Sequence, residues 1–373
     1  EMCIRDRLKG ARLSYLPSVT LAPNGAGSSF DHSKMSWSYQ LPLAVSWEVD
    51  LFGKLLNSNR RAKQALLQSE AYQQAVRSQL IAGVANCYYA ISMLETQLKI
   101  SRQTAEYWKE SVQIMKNFKL AGRVNESAVV QSTANYYSLL ASITDLEVSL
   151  NEANNTMSLL LNVMPQTWNI QADARFEAPA IMREGVPMRE LASRPDVRAS
   201  EHSLAMAYYA TNQARSAFYP GLNISANGGF TNLMGSMVSN PAKFFVQLAG
   251  QLTAPLFARG QLISNLEAAR AQQEQAMNNF EYTLLSASAE VSNALMLYTK
   301  SNEKADYLKN QVENLEKSVE YTQELLSLDG RTTYLEVLTA QQSLLAAQLS
   351  QASCENARAR AAINLYQSLG GGR

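Results

Sequence analysis

The sequence contains a second version of itself. Arg12-Leu-Ser-Tyr-Leu-Pro17 aligns with Arg215-Ser-Ala-Phe-Tyr-Pro220 at a shift of 203, and Leu51-Phe52 with Leu256-Phe257 at 205. Gly122-Arg123 aligns with Gly330-Arg331, and Leu161 with Leu369, both at 208. The landmarks keep their order with few insertions, so a single architecture has to explain both halves of the 373-residue chain.

Each unit opens on a pair of strands. From Trp37 to Leu51 the odd positions are Trp37, Tyr39, Leu41, Leu43, Val45, Trp47, Val49 and Leu51, whereas the even ones include Ser38, Gln40, Ser46, Glu48 and Asp50. A period of two predicts a sheet with one apolar and one polar face. In the second unit Leu222, Ile224 and Ala226 alternate with Asn223, Ser225 and Asn227, and Phe244, Val246, Leu248 and Leu252 with Gln247, Gln251 and Thr253. Asn24 to Ser36 and Gly228 to Lys243 are rich in Gly, Ser, Asn and Pro and read as the loops between paired strands. At full extension Trp37 to Leu51 reaches roughly 50 Å, more than a tilted membrane strand of about 9 to 11 residues requires. Periodicity alone equally fits a soluble sheet packed on a core.

The second part of each unit is helical. Ile91, Leu94, Leu98, Ser101, Ala105, Trp108, Val112 and Met115 advance by alternating steps of three and four, and Tyr298, Ser301, Ala305, Leu308, Val312, Leu315, Val319 and Thr322 repeat them 207 residues on. Such a seam specifies coiled-coil packing. No Gly or Pro cluster interrupts Lys54 to Ala121, which predicts one helix about 100 Å long. Gly122 and Gly330 are placed to end the long helices in a left-handed conformation. A returning helix carries Tyr136, Leu139, Ile143, Leu146, Leu150, Ala153, Met157 and Leu160 in the first unit; in the second it carries Leu335, Leu338, Leu345, Leu349, Ile363 and Tyr366.

The chain thus divides into a strand pair at 8–52, a helical hairpin at 53–161, a connector at 162–193, a helix at 194–217, a second strand pair at 218–257, a second hairpin at 258–369 and a tail at 370–373. Residues 1–7 back-translate as a sequencing-library adapter and read as adapter-derived, so the natural chain is expected to continue in front of them. The counterpart of the 194–217 helix is expected upstream of Leu8. Cys3 follows Glu1 and Met2 rather than the small and apolar residues that precede a lipidated cysteine.

Composition narrows the function. With 33 Lys+Arg against 32 Asp+Glu, the formal charge is +1, which gives no overall field for a polyanion or acidic lipid. Two histidines and three cysteines leave little for catalysis or metal binding, and no enzyme or cofactor is called for. His32 in a loop and His202 in a polar helix read as surface residues, and Cys87 and Cys354 as buried free thiols. The most apolar helical stretch, Leu80 to Leu94, is too short and too interrupted to span a bilayer. A β-barrel leaves no such signature. Four strands per chain cannot close one, and an open edge is intolerable in lipid, so oligomerisation is expected. The rival from another class is a soluble coiled-coil scaffold.

Ser46-Trp-Glu-Val-Asp-Leu-Phe-Gly53, Arg194-Pro-Asp-Val-Arg198, Ala214-Arg-Ser-Ala-Phe-Tyr-Pro220, Pro255-Leu-Phe-Ala-Arg-Gly260 and Gly330-Arg-Thr-Thr-Tyr-Leu-Glu-Val-Leu338 resemble the TolC-like outer-membrane efflux proteins, over roughly Leu8 to Gly372. The resemblance is to the branch serving multidrug pumps of the resistance-nodulation-division type. It implies a mixed α+β, mainly α fold in which a homotrimer builds a 12-stranded barrel in the outer membrane, continued by a periplasmic α-helical barrel. It further implies a non-enzymatic exit duct that docks on a periplasmic adaptor and an inner-membrane transporter. The substrates it implies are drugs or other small toxic compounds, with metal-ion efflux or type I secretion as the alternatives. By the same resemblance Gly122, Arg123, Gly330 and Arg331 form the periplasmic tip; the tip location of Arg123 and Arg331 alone motivates the further expectation that they pair across neighbouring hairpins in the closed state. Glu336 sits where family members place a pore-constricting acid; Thr339 stands where a second one is often found.

Overall fold

The computed structural model describes residues 2–29, 35–170, 191–234, 237–328 and 333–371. In chain order its elements are α1 (Met2–Leu13), β1 (Ser18–Leu21), β2 (Asn24–Ser28), β3 (Ser36–Val49), α2 (Lys54–Leu120), α3 (Glu126–Leu160), α4 (Pro195–Ser216), β4 (Gly221–Met234), β5 (Met237–Thr253), α5 (Gln261–Leu328) and α6 (Tyr334–Ser368). The duplication is kept in the elements: α3 and α6 both have 35 residues and lie 208 apart, and α1 and α4 end 203 apart. The last turns of the counterpart to α4 are therefore Leu8–Leu13, inside the described chain. Two compact units form, residues 1–73 with 195–285 and residues 74–194 with 286–373, and the boundaries fall within α2, at the start of α4 and within α5.

The first unit is built on one antiparallel sheet in the order β1-β3-β4-β5, with β2 also on β3. β1 and β2 are a single strand with an interruption. Ser18 faces Ser46, Leu21 faces Leu43, Asn24 faces Gln40 and Ser28 faces Ser36, all in one continuous register. At the gap Ala22 N–H still donates to the Pro42 carbonyl at 3.2 Å, but Pro42 has no N–H to return. The sheet is four-stranded in effect.

The strands run further than turn chemistry suggests. β2, and the ends of β4 and β5, occupy residues read above as loops. Gly229 explains part of this: a Cβ there would lie 2.0 Å from the Leu41 carbonyl oxygen. The glycine marks a close approach of backbones beside Pro42, not a turn. Asn232 explains more. Its buried side chain accepts from Tyr39 N–H at 2.6 Å and donates to the Trp37 carbonyl at 2.9 Å. An amide side chain thus carries the ladder past the register shift between Thr231 and Leu233. Beside the sheet, Gln68 donates to the Ala199 carbonyl and Thr211 to the Ala269 carbonyl, joining α4 to α2 and α5.

The second unit is helical. All eight residues of the Ile91–Met115 seam are buried, and those of the Tyr298–Thr322 seam are buried or half-buried. Leu98, Ala105 and Trp108 of α2 close on Leu139 and Ile143 of α3. The connector is fastened to α3: Trp168 donates from its indole to Ser158 Oγ and from its backbone to Asn154 Oδ1, both at 3.0 Å. On α6 the expected stripe is corrected. Leu335 and Tyr366 are exposed, and Val337 and Leu365 are buried in their place. Leu365 adjoins Tyr366, and Val337 adjoins Leu338 of the expected stripe, so apolar residues at neighbouring positions left the phase of the helix open.

Candidate functional site

The sheet carries its apolar residues on one face, and that face is open. Trp37, Tyr39, Leu41, Leu43 and Trp47 of β3 are all exposed, as are Val19 and Leu21 of β1 and Phe230 of β4. On β5, Val246 and Leu248 are 71% and 75% exposed. Register stacks them in rows: Leu41 beside Phe230 beside Phe244, and Val45 beside Ala226 beside Leu248. A soluble sheet buries such a face against a second layer. The opposite face holds Gln40, Thr231 and Lys243 in one row, Ala44, Asn227 and Gln247 in another, and Glu48, Asn223 and Gln251 in a third. Among the described residues its one ionised pair is Glu48 with Lys54 of α2 at 2.7 Å. Among the described residues, the outer edges of β1–β2 and of β5 have no strand partner.

The hairpin turn between α2 and α3 is built as the glycine predicts. Gly122 has φ +72°, its N–H donates to Lys119, and the N–H of Arg123 donates to Phe118, so the last carbonyls of α2 are capped from beyond the helix. The same cap closes α3 at Asn162 and α6 at Gly370, 208 residues apart. Asn125 then caps α3, its side chain accepting from Ala128 N–H, and Lys119 pairs with Glu126 across the turn. Arg123 is exposed and lies over the Phe118 ring at 5.9 Å. Gly330 and Arg331 lie outside the described residues, as does His32. Glu336 and Thr339 are both exposed one turn apart in the first turns of α6, while Val337 and Leu338 between them are buried. Thr339 Oγ1 donates to the Leu335 carbonyl at 2.8 Å. Near this end α2, α5 and α6 line a cleft of about 610 Å³ that includes Tyr107, Ile114, Val319, Gln323 and Tyr334.

His202 departs from its reading as a surface residue. It is half-buried against α2, with Nδ1 2.8 Å from Gln64 Oε1 and Nε2 buried without a partner. Polar neighbours on its own helix hid this. Cys87 and Cys354 are buried free thiols, and burial pushes both pKa values up.

The model of the outer membrane efflux protein family matches residues 4–163 and 186–371. The cation efflux system protein CusC of Escherichia coli O6:H1 is 28% identical over 352 residues, 93% of this chain and 75% of CusC. The solvent efflux pump outer membrane protein SrpC of Pseudomonas putida is 26% identical over 345 residues, 91% of this chain and 72% of SrpC. The crystal structure of CusC superposes with a TM-score of 0.90 at 25% identity, covering 99% of this chain and 87% of that one. A mainly helical channel fold with a small antiparallel sheet, an exposed apolar sheet face and this match over most of both halves lead to one assignment: the chain belongs to the outer membrane efflux protein family.

Proposed function

We propose that this protein is the outer-membrane exit duct of a tripartite efflux pump, passively conducting small toxic compounds from the periplasm to the exterior. The observation that carries the reading is the sheet whose apolar face is open while both its edges lack partners. In hydrocarbon the apolar face needs no cover, but every backbone group does need a partner. Three copies, each contributing an effectively four-stranded sheet, satisfy all edges in a 12-stranded barrel with the amide-rich face turned to water. The periplasmic part is then a helical barrel whose tips, with Gly122, Arg123, Gly330 and Arg331, meet a periplasmic adaptor joined to an inner-membrane transporter.

The polar face favours a duct of low selectivity. Its side chains are mostly amides and hydroxyls, which hydrate a pore without fixing a particular charge. Selection then rests with the transporter, and drugs or solvents are the substrates proposed. Metal ions are the second reading, favoured by the likeness to CusC, whose name assigns it to cation efflux. Expression with its genomic neighbours in a strain lacking outer-membrane channels tests both. Restored resistance to dyes and antibiotics supports the first reading, resistance confined to metal cations supports the second, and no resistance with a correctly inserted trimer overturns both.

A further inference from the structure

The four junctions between helix and strand share an arrangement that a net charge of +1 conceals. Where α1 leads into β1 stand Tyr15 and Leu16; where α4 leads into β4, Phe218 and Tyr219; where β3 leaves for α2, Leu51 and Phe52; and where β5 leaves for α5, Leu256 and Phe257. All but Tyr15 are exposed, Phe257 to 86%. Phe52 and Tyr219 stack at 4.8 Å, and Trp47 donates its indole N–H to the Tyr15 carbonyl at 2.9 Å, so the collar is continuous with the apolar rows of the sheet.

On the helix side of each apolar pair stands an exposed cation: Arg12, Arg215, Lys54 and Arg259. Arg12 and Arg215 occupy equivalent places 203 residues apart, and Lys54 and Arg259 are 205 apart. Arg60, Arg61 and Lys63 follow on α2, where residues 54–69 contain no acid. The acids closest to the β3–α2 junction are already engaged, Glu48 by Lys54 and Asp50 as acceptor for Leu56 N–H at 2.8 Å. Asp6 on α1 and Glu267 on α5 are the others in these stretches. Among the described residues Arg12, Arg61, Lys63, Arg215 and Arg259 have no carboxylate partner.

Apolar row, a pair with at least one aromatic ring, then cation is the order a wall meets on leaving hydrocarbon through the interface to the level of lipid phosphate, where long basic stems reach headgroups. We propose that this collar binds the anionic headgroups of phospholipids in the periplasmic leaflet, so that the channel carries an annulus enriched in phosphatidylglycerol. The inference rests on the strands crossing the outer membrane. With three copies it places Arg12, Arg215 and Arg259 at the feet of three of the four strands that each copy supplies, whereas Lys54 is held by Glu48 of the polar face.

The test is lipid retention. The full natural chain is purified from mixed phosphatidylethanolamine and phosphatidylglycerol bilayers with limiting detergent, and the bound lipid is counted by native mass spectrometry. The expected result is a severalfold enrichment of phosphatidylglycerol over the bulk. The enrichment should be abolished in the triple variant Arg12→Gln, Arg215→Gln, Arg259→Gln and kept in a control variant, Lys304→Gln with Lys309→Gln. If the triple variant does not assemble, the wild-type enrichment is followed against salt and should fall as screening shortens the reach of the collar. Equal lipid ratios in bound and bulk fractions, indifference to salt, or displacement of the lipid by millimolar inorganic phosphate each overturn the proposal. A chain that neither enters bilayers nor conducts ions contradicts the membrane-spanning reading instead.

Discussion

Arg194 is clamped at both ends of its guanidinium: Nη2 lies 2.7 Å from Glu290 Oε2 on α5, and Nη1 donates to the Ser368 carbonyl at the end of α6 at 2.8 Å. The side chain is only 7% exposed, whereas that of Glu290 is 55% exposed. The arginine therefore serves chiefly to satisfy the Ser368 carbonyl and to hold the residue just before α4 against the end of α6. Arg194→Ala is expected to cost about 2 kcal/mol, the scale of a charge-assisted hydrogen bond lost from a buried site. Glu290→Gln is expected to cost a fraction of that, because the carboxylate is solvated. Thermal inactivation of the purified channel checks the order; an equal loss in the two variants contradicts it.

Two glycines separate backbone strain from steric conflict. Gly122 has a left-handed φ of +72° and open space where a Cβ would stand. Gly122→Ala should cost about 1 kcal/mol from conformation alone and leave the assembled channel detectable. At Gly229 a Cβ would sit 2.0 Å from the Leu41 oxygen and 2.9 Å from Pro42 Cα. Backbone cannot yield as a side chain does, so Gly229→Ala is expected to prevent the strands from pairing beside Pro42. The readout is the heat-modifiable band of folded barrel in outer-membrane fractions, present for the first variant and lost for the second.

Periodicity made the seam of α2 legible, because eight positions over 25 residues, Ile91 to Met115, leave little freedom of phase, and all eight are buried. It made the two-faced sheet legible for the same reason. What it could not show is whether the apolar face stays open, since alternation is the same whether apolar side chains meet a core or none. Strand length was obscured by composition: Gly228, Gly229 and Asn232 are turn formers by type, yet they serve here in close approach and in a side-chain substitute for a ladder bond. The Arg194 clamp joins residues 96 and 174 apart in sequence, and no local pattern announces such a pair.

His202 gives the protein a pH dependence. Burial holds its imidazole below the ordinary value of 6.5; Glu201 and Glu70 oppose this shift and Arg198 adds to it. The unfolded chain therefore takes up the proton near pH 6.5 and the folded chain only at lower pH. Between those points the unfolded state binds more protons, so this contribution is whole above 6.5 and declines as pH falls, levelling off below the folded value. The buried, partnerless Nε2 supplies the physical reason, since a proton there would find no acceptor. His202→Gln removes the titration, so its melting temperature should fall less than that of the wild type between about pH 8 and about pH 5. Parallel pH profiles would remove His202 from the account.

Glu336 and Thr339 supply the test of the pore constriction. Both are exposed on one side of the first turns of α6, and Thr339 spends its hydroxyl on the Leu335 carbonyl. If three copies bring Glu336 into a ring, each carboxylate faces two like charges, and a divalent cation relieves the repulsion by binding among them. In reconstituted channels Glu336→Gln should weaken divalent block from the periplasmic side and raise conductance. Thr339→Glu, which adds a second carboxylate one turn further on, should strengthen that block. Because both side chains are exposed and no buried group is disturbed, neither variant is expected to change stability by more than about 0.5 kcal/mol. Block and conductance are therefore read on intact channels. Unchanged block in both variants would place the narrowest part of the pore away from α6.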